Sequence, residues 1–116
     1  MTKATVLVHP EHASVSIVLS GEIDLENAAT VEEQLSTAIP NHLTSVTLDV
    51  SGLDFIDSVG LRILFALAAR LDVLQIDLRV VAPVGSLARR VLQLSGFEAI
   101  VELQPGPRRP LPDQRA

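Results

Sequence analysis

A strand-like run that passes directly into a helix-like run is the feature of this sequence that most constrains its fold. Residues 46–50 alternate apolar and polar side chains in a β-branched run, which is typical of a strand with one buried face. Residues 61–71 are rich in Leu, Ile and Ala and poor in Gly and Pro, which predicts a helix. The junction at 54–60 places Ser58 near the start of that helix, where free N–H groups and the positive end of the helix dipole would stabilise a phosphate.

The rest of the chain repeats this alternation of strands and helices. Further strands are predicted at 5–9, 15–19, 76–82 and 99–103, and further helices at 25–39 and from Leu87 to Leu94. The first two strands are separated by a turn and form a predicted β-hairpin, whereas each later strand is reached through a helix. This order favours right-handed crossovers and predicts an α/β fold, a mixed and mostly parallel sheet of about five strands with helices packed against it.

Local signals place the ends and the buried faces of the outer helices. Asp24 stands where its side chain can cap the first helix. Leu87, Val91 and Leu94 share one stripe of the last helix and are predicted to face the core. Gly96 follows that helix and is predicted to adopt the left-handed conformation that ends it.

The composition excludes several classes of function. With 116 residues, the chain is long enough for one domain. A formal charge of −5 argues against direct binding of nucleic acid, whose affinity depends on neutralising phosphates. Without cysteine there are no disulfides and no thiolate metal ligands. No apolar run approaches the ~20 residues of a membrane-spanning helix, and no secretory signal pattern is present, so we expect a cytoplasmic protein without membrane insertion.

Proline and arginine dominate the end of the sequence. From Gln104 onward the chain holds four of its seven prolines and shows no periodic apolar pattern. Such a segment cannot supply a regular packed element. We therefore expect a folded domain over residues 1–103 and a flexible tail over residues 104–116.

Three short motifs resemble elements of one protein family. They are Gly-Glu-Ile-Asp at 21–24, Ile-Asp-Ser-Val-Gly-Leu at 56–61 and Leu-Ser-Gly-Phe at 94–97. These are similar to motifs of the STAS family and, within it, of the bacterial anti-anti-sigma factors, also called anti-sigma factor antagonists. The motifs occur in the right order and spacing over about residues 5–103. The resemblance implies a STAS-like single domain.

What the resemblance implies for function is a regulatory switch without a cofactor. Members of the family bind an ATP-dependent serine kinase that is also an anti-sigma factor, and thereby free the sigma factor for transcription. Phosphorylation, here of Ser58, abolishes that binding, and a metal-dependent phosphatase of the PP2C type restores it. Val59 stands where Ser or Thr is common in the family, and the proline-rich tail stands where the family usually has a C-terminal helix.

The residues around Ser58 form the predicted partner-binding surface. They are Asp24, Asp57, Val59, Gly60 and Arg62. Structural alternatives exist, because the two aspartates could serve only as caps or turn formers and the glycine could be required only for close packing. Ser58 itself could be no more than a helix N-cap.

Other functions fit the sequence less well. His9, His12 and His42 lack the spacing of metal ligands. A serine hydrolase would need a base near Ser58 and a Gly-x-Ser-x-Gly elbow, whose first glycine is missing here. No catalytic or metal-binding residue is therefore predicted. The alternative function is a STAS interaction subunit of a transport or stress-signalling complex that acts without phosphorylation, but the presence of Ser58 favours the phosphorylated regulator.

Overall fold

The computed structural model describes residues 3–106. Its elements are β1 (Ala4–Pro10), β2 (Ser14–Ile23), α1 (Ala28–Ala38), β3 (Ser45–Ile56), α2 (Ser58–Val73), β4 (Asp77–Val81), α3 (Leu87–Leu94), a short 3-10 helix (Phe97–Ala99) and β5 (Leu103–Gln104). The predicted α/β class with five strands and three helices is confirmed. Gln104, expected in the tail, belongs to β5, and the part of the predicted tail after residue 106 lies outside the described residues.

The spatial order of the strands follows their order in the chain. The sheet runs β1-β2-β3-β4-β5, with β1 antiparallel to β2 and all other neighbours parallel. Because this order never reverses, right-handed crossovers place all three helices on the same face of the sheet. Burial follows that arrangement, since alternate side chains over residues 14–19 and 45–50 are fully buried while those between them are half-buried.

An aliphatic core lies between the sheet and the helices. The buried side chains of α1 and α2 are Ala28, Val31, Leu35, Ile63, Leu64, Leu67, Ala68 and Leu71, together with Gly60. Arg70 joins the two helices, because its guanidinium donates to the Ile39 carbonyl at 3.0 Å and to the Ser36 hydroxyl at 3.3 Å. This contact satisfies a carbonyl at the end of α1 and fixes the position of α1 relative to α2.

The predicted buried stripe of α3 is wrong for two of its three residues. Leu87 and Leu94 are exposed, whereas Val91 is half-buried against the core, and the fully buried side chains of the helix are Ala88 and Leu92. The half-buried Arg89 accounts for this rotation, because its Nε donates to the Ala82 carbonyl at 2.6 Å and its other end donates to the carbonyl of Leu103. Charge-assisted bonds to two strand ends turn the Arg89 side of the helix inward.

The last strand is shorter than predicted, because two amides of the predicted strand form hydrogen bonds within a turn. Gly96 has the expected left-handed backbone, with φ of 86°, and begins the 3-10 helix. The amides of Ile100 and Val101 then donate to the Phe97 carbonyl instead of to a neighbouring strand. The buried Phe97 ring meets Phe65 edge-on, with ring centroids 5.1 Å apart, and anchors this turn against α2.

Candidate functional site

The candidate site lies at the carboxyl ends of β2 and β3. Both strands extend further than the sequence predicts, because their pairing continues to Ile23 and Ile56. Asp24 and Asp57 therefore follow directly on neighbouring strand ends. The Asp57 amide donates to the Ile23 carbonyl at 3.1 Å, so the two loops that leave these strands are joined at their origin.

Asp57 is the N-cap of α2. Its Oδ1 accepts hydrogen bonds from the amides of Val59 at 2.9 Å and Gly60 at 3.0 Å. Its Oδ2 accepts a hydrogen bond from the Leu25 amide at 3.2 Å. A single carboxylate thus satisfies two free amides of the helix start and also holds the loop between β2 and α1.

Ser58 is the first residue of α2, and its side chain is exposed. The alternative that Ser58 is the helix cap is wrong, because Asp57 accepts the capping hydrogen bonds. Its hydroxyl therefore stands at the positive end of the helix dipole without being needed to close the helix.

Asp24 does not cap the first helix, contrary to the prediction. Helix α1 begins at Ala28 instead of Leu25, with Asn27 in the capping position. The half-buried Asp24 instead closes a turn, in which its Oδ1 accepts from the Glu26 amide at 2.9 Å and its own amide donates to Asn27 Oδ1 at 3.1 Å. Short polar side chains that bond nearby backbone compete with helix formation, and this delays the start of α1.

Gly60 is buried beneath the site and faces its own chain. A Cβ atom there would lie 2.6 Å from Ile56 Cγ1 and 3.0 Å from Ile23 Cγ2. The first turn of α2 can therefore approach the strand ends only with glycine at this position. This supports the packing explanation for Gly60. The residue would influence a partner only indirectly, through the position that it allows the helix to take.

An apolar cleft of about 250 Å³ opens between α1 and α2 beside this first turn. It is lined by Leu25, Ala28, Ala29, Glu32, Val59, Arg62, Ile63 and Ala66. Leu25 is 76% exposed, although the sequence pattern placed it inside a helix. The available signal was the Asp and Asn pair that flanks it, because both residue types favour turns over helix interiors.

The structure brings four of the predicted partner residues to the surface of one region. Val59 and Arg62 line the cleft, and Asp24 and Asp57 form the loops beside it. This arrangement offers an accessible hydroxyl among fixed carboxylates and one cationic side chain, next to an apolar depression. Within residues 3–106, no group of three His, Cys, Asp or Glu side chains is placed to hold a metal ion. No helix in that range has the length and hydropathy to span a bilayer.

Comparison with known proteins identifies the family to which this fold belongs. The family model described as the STAS domain matches residues 4–108. The chain is 34% identical over 94 residues to the anti-sigma-F factor antagonist RsfB of Mycobacterium tuberculosis, covering 80% of this chain and 75% of that protein. It is similar to the crystal structure of an anti-sigma factor antagonist from Mycobacterium paratuberculosis, with a TM-score of 0.78 and 29% identity over 89% of this chain and 86% of the other. The unphosphorylated form of SpoIIAA, at 23% identity, shares the fold, with a TM-score of 0.68 over 85% of this chain and 87% of that one.

The family-model match shows that this chain belongs to the STAS domain family, and its five-stranded sheet, with the strands in chain order, agrees with the fold of its solved relatives. Within that family it groups with the anti-sigma factor antagonists, as the sequence motifs indicate. The relatives of that group are named as regulators and not as enzymes.

Proposed function

We propose that this chain is a cytoplasmic anti-sigma factor antagonist that binds an ATP-dependent anti-sigma serine kinase and is switched off by phosphorylation of Ser58. A PP2C-type phosphatase would restore the active form. The anti-sigma-F factor antagonist RsfB, at 34% identity, supports the general function. The phosphorylation switch is supported by the residues around Ser58 themselves.

The observation that best supports the switch is that Asp57, and not Ser58, caps α2. Asp57 accepts the capping hydrogen bonds, so the helix does not depend on the hydroxyl of Ser58. A serine that is exposed and dispensable for the fold can be modified without unfolding α2. This is what a reversible switch on a protein surface requires.

Local charge explains why a phosphate would disrupt a partner contact. It would add about −1.5 to −2 charges at Ser58. The Asp57 carboxylate already occupies the amides of Val59 and Gly60, so the phosphate would compete with that carboxylate for the helix start. Arg62, about one turn further along α2, can offset part of the charge from an exposed position. We therefore infer that repulsion and bulk at the contact, and not refolding, turn binding off.

The cleft beside Ser58 supplies the apolar part of the proposed contact. Leu25 projects from the loop that Asp57 holds, and Val59 and Arg62 line the same depression. An exposed leucine beside a charged rim resembles the apolar centre and polar edge of a protein interface. The partner of this surface would be the kinase that reads Ser58.

Intact-mass spectrometry tests the proposal directly. The purified chain is incubated with ATP and each candidate serine kinase from its own cell, beside Ser58→Ala and Ser51→Ala variants. Ser51 is a matched control, because it is exposed and its hydroxyl bonds Asp49 at 2.6 Å on β3. We expect one added phosphate on the wild type and on Ser51→Ala, and none on Ser58→Ala.

The opposite result would change the assigned function. If no kinase adds a phosphate, the switch at Ser58 is excluded. A kinase-independent complex recovered with the same chain would then support the alternative, an interaction subunit that works without phosphorylation.

A further inference from the structure

The sheet has one long open edge, formed by β1. At the opposite side, β5 contributes only two residues, whereas β1 is seven residues long. Among residues 3–106, no strand pairs with the outer side of β1. An open edge presents unpaired N–H and C=O groups to any strand that can match them.

Two hydrogen bonds outside the ladder show which backbone groups point outward. The Glu22 amide donates to the Lys3 carbonyl, and the Glu11 amide donates to the Ser14 carbonyl, each at 2.8 Å. Successive residues of a strand point their N–H and C=O groups to opposite sides, so these groups of the odd-numbered residues of β1 point toward β2. The outward amides and carbonyls therefore belong to Ala4, Val6 and Val8. Pro10, the last residue of the strand, is also on the outward side but has no amide to offer.

Before Pro10, this edge lacks the usual protection against pairing. Open edges are commonly guarded by charged side chains, by proline or by short length. Residues 4–9 contain neither a charged side chain nor a proline, leaving His9 aside. Leu7 is 50% exposed and Val8 is 39% exposed, so apolar side chains project on both faces of the same strand.

We infer that β1 is a self-association edge and that its partner is the β1 strand of a second copy, paired antiparallel about a twofold axis at Leu7. This register places Leu7 against Leu7 of the second copy on the face opposite the helices. It pairs the outward backbone of Val6 with that of Val8 in the other copy, in both directions. It also sets the exposed Lys3 opposite Glu11 of the second copy, twice, so that charge complementarity selects this register.

The paired edge leaves the Ser58 sites free. Ala4 is paired with Gly21, close to the end of β2 that carries the site, whereas Pro10 lies at the other end. In an antiparallel pair the two Ser58 sites therefore lie at opposite ends of a ten-stranded sheet, twice the five strands of one copy. Self-association and the proposed kinase contact use separate surfaces, and each can fail without the other.

Single-cysteine cross-linking tests the register, because the chain has no cysteine of its own. Residues that face each other in a pair without hydrogen bonds have Cα atoms about 4.5 Å apart. That spacing lies within the ~4.4–6.8 Å that a disulfide spans. We expect Leu7→Cys to form a covalent dimer under mild oxidation. Thr5→Cys is the matched control on the same face, because its two copies would be about 14 Å apart at the rise of an antiparallel strand.

Sedimentation velocity over a range of protein concentrations provides the second measurement. We expect a reversible dimer that Lys3→Glu or Glu11→Lys weakens at least tenfold and that the double exchange restores. A wild type that remains monomeric at millimolar concentration, with equal slow cross-linking of both cysteine variants, would overturn the proposal. Disulfides formed only in a mixture of Leu7→Cys with Thr5→Cys would overturn the register. They would require residue 5 of one copy to lie opposite residue 7 of the other, which places the twofold axis at Val6.

Discussion

Leu25 and Asp57 are joined by a 3.2 Å hydrogen bond, from the Leu25 amide to Asp57 Oδ2, across 32 positions of sequence. The other oxygen of the same carboxylate caps α2 beside Ser58. The loop that presents the exposed leucine and the helix start that carries Ser58 are therefore both held by one side chain. Any replacement of Asp57 should therefore act on both the helix start and the loop that presents Leu25.

Replacing Asp57 should separate its capping role from its charge. Asp57→Ala removes the acceptor of two amides at the helix start and of the Leu25 amide, and we expect a loss of about 1–2 kcal/mol in the free energy of unfolding. Asp57→Asn keeps one oxygen acceptor for the cap but gives up the acceptor of the Leu25 amide, and it should lose less than Asp57→Ala because Asn and Asp are similar N-caps. Urea denaturation followed by circular dichroism measures both values.

Asp54→Ala is the control for this comparison. Asp54 is an exposed aspartate of β3, three positions before Asp57, and its replacement should change stability by no more than about 0.5 kcal/mol. An Asp57→Ala variant as stable as Asp54→Ala would contradict the capping role.

Gly60→Ala should destabilise the protein even though alanine favours helices. In an open helix the change would gain about 1 kcal/mol. Here the new methyl group would lie 2.6 Å from Ile56 Cγ1, and overpacking of this kind costs about 1–3 kcal/mol. The loss should be smaller in an Ile56→Val background, because that change removes the Cδ1 atom 3.2 Å away. A more stable Gly60→Ala variant in thermal unfolding would show that the helix start has room to move.

The sequence allowed correct prediction of the elements with strong periodicity and of the strand-to-helix corner. Alternation over residues 46–50 and the apolar density over residues 61–71 each reflect burial against the other layer, so pattern and structure agree. Ser58 was placed correctly at the corner because the motif around it is local in sequence. The sequence could not show whether Asp57 or Ser58 caps the helix, because both residue types are favoured N-caps. The backbone angles decide between them, and they place Asp57 at the cap.

Two of the errors arise from polar contacts that join separate elements of the fold. The rotation of α3 depends on Arg89 reaching the carbonyls of Ala82 and Leu103, which no helical period can reveal. The exposure of Leu25 depends on Asp57 holding its amide from another loop. In both places polar contacts, and not apolar periodicity, decide the structure.

Leu25→Ala should weaken partner binding without weakening the fold. The side chain is 76% exposed, so its truncation should change the free energy of unfolding by less than about 0.5 kcal/mol. If it fills an apolar pocket of the kinase, binding should fall at least tenfold, equivalent to about 1.4 kcal/mol, in isothermal titration calorimetry. Leu94→Ala is the matched control, because Leu94 is 78% exposed at the end of α3. Equal effects of the two variants on binding would exclude the cleft as the contact.

Charge at Ser58 should act on binding by repulsion that salt can screen. Ser58→Ala should bind the kinase like the wild type, and Ser58→Asp should bind more weakly, because the new carboxylate adds to those of Asp24 and Asp57. Ser58→Asn is the control of equal size without charge. Raising ionic strength from about 0.1 M to 1 M shortens the Debye length from ~10 Å to ~3 Å. Part of the Ser58→Asp loss should therefore be recovered, while Ser58→Asn should not respond.

If Ser58→Asp binds as tightly as the wild type, charge is not the switch. If Asp and Asn are equally weak at both salt concentrations, the bulk of the group and not its charge breaks the contact.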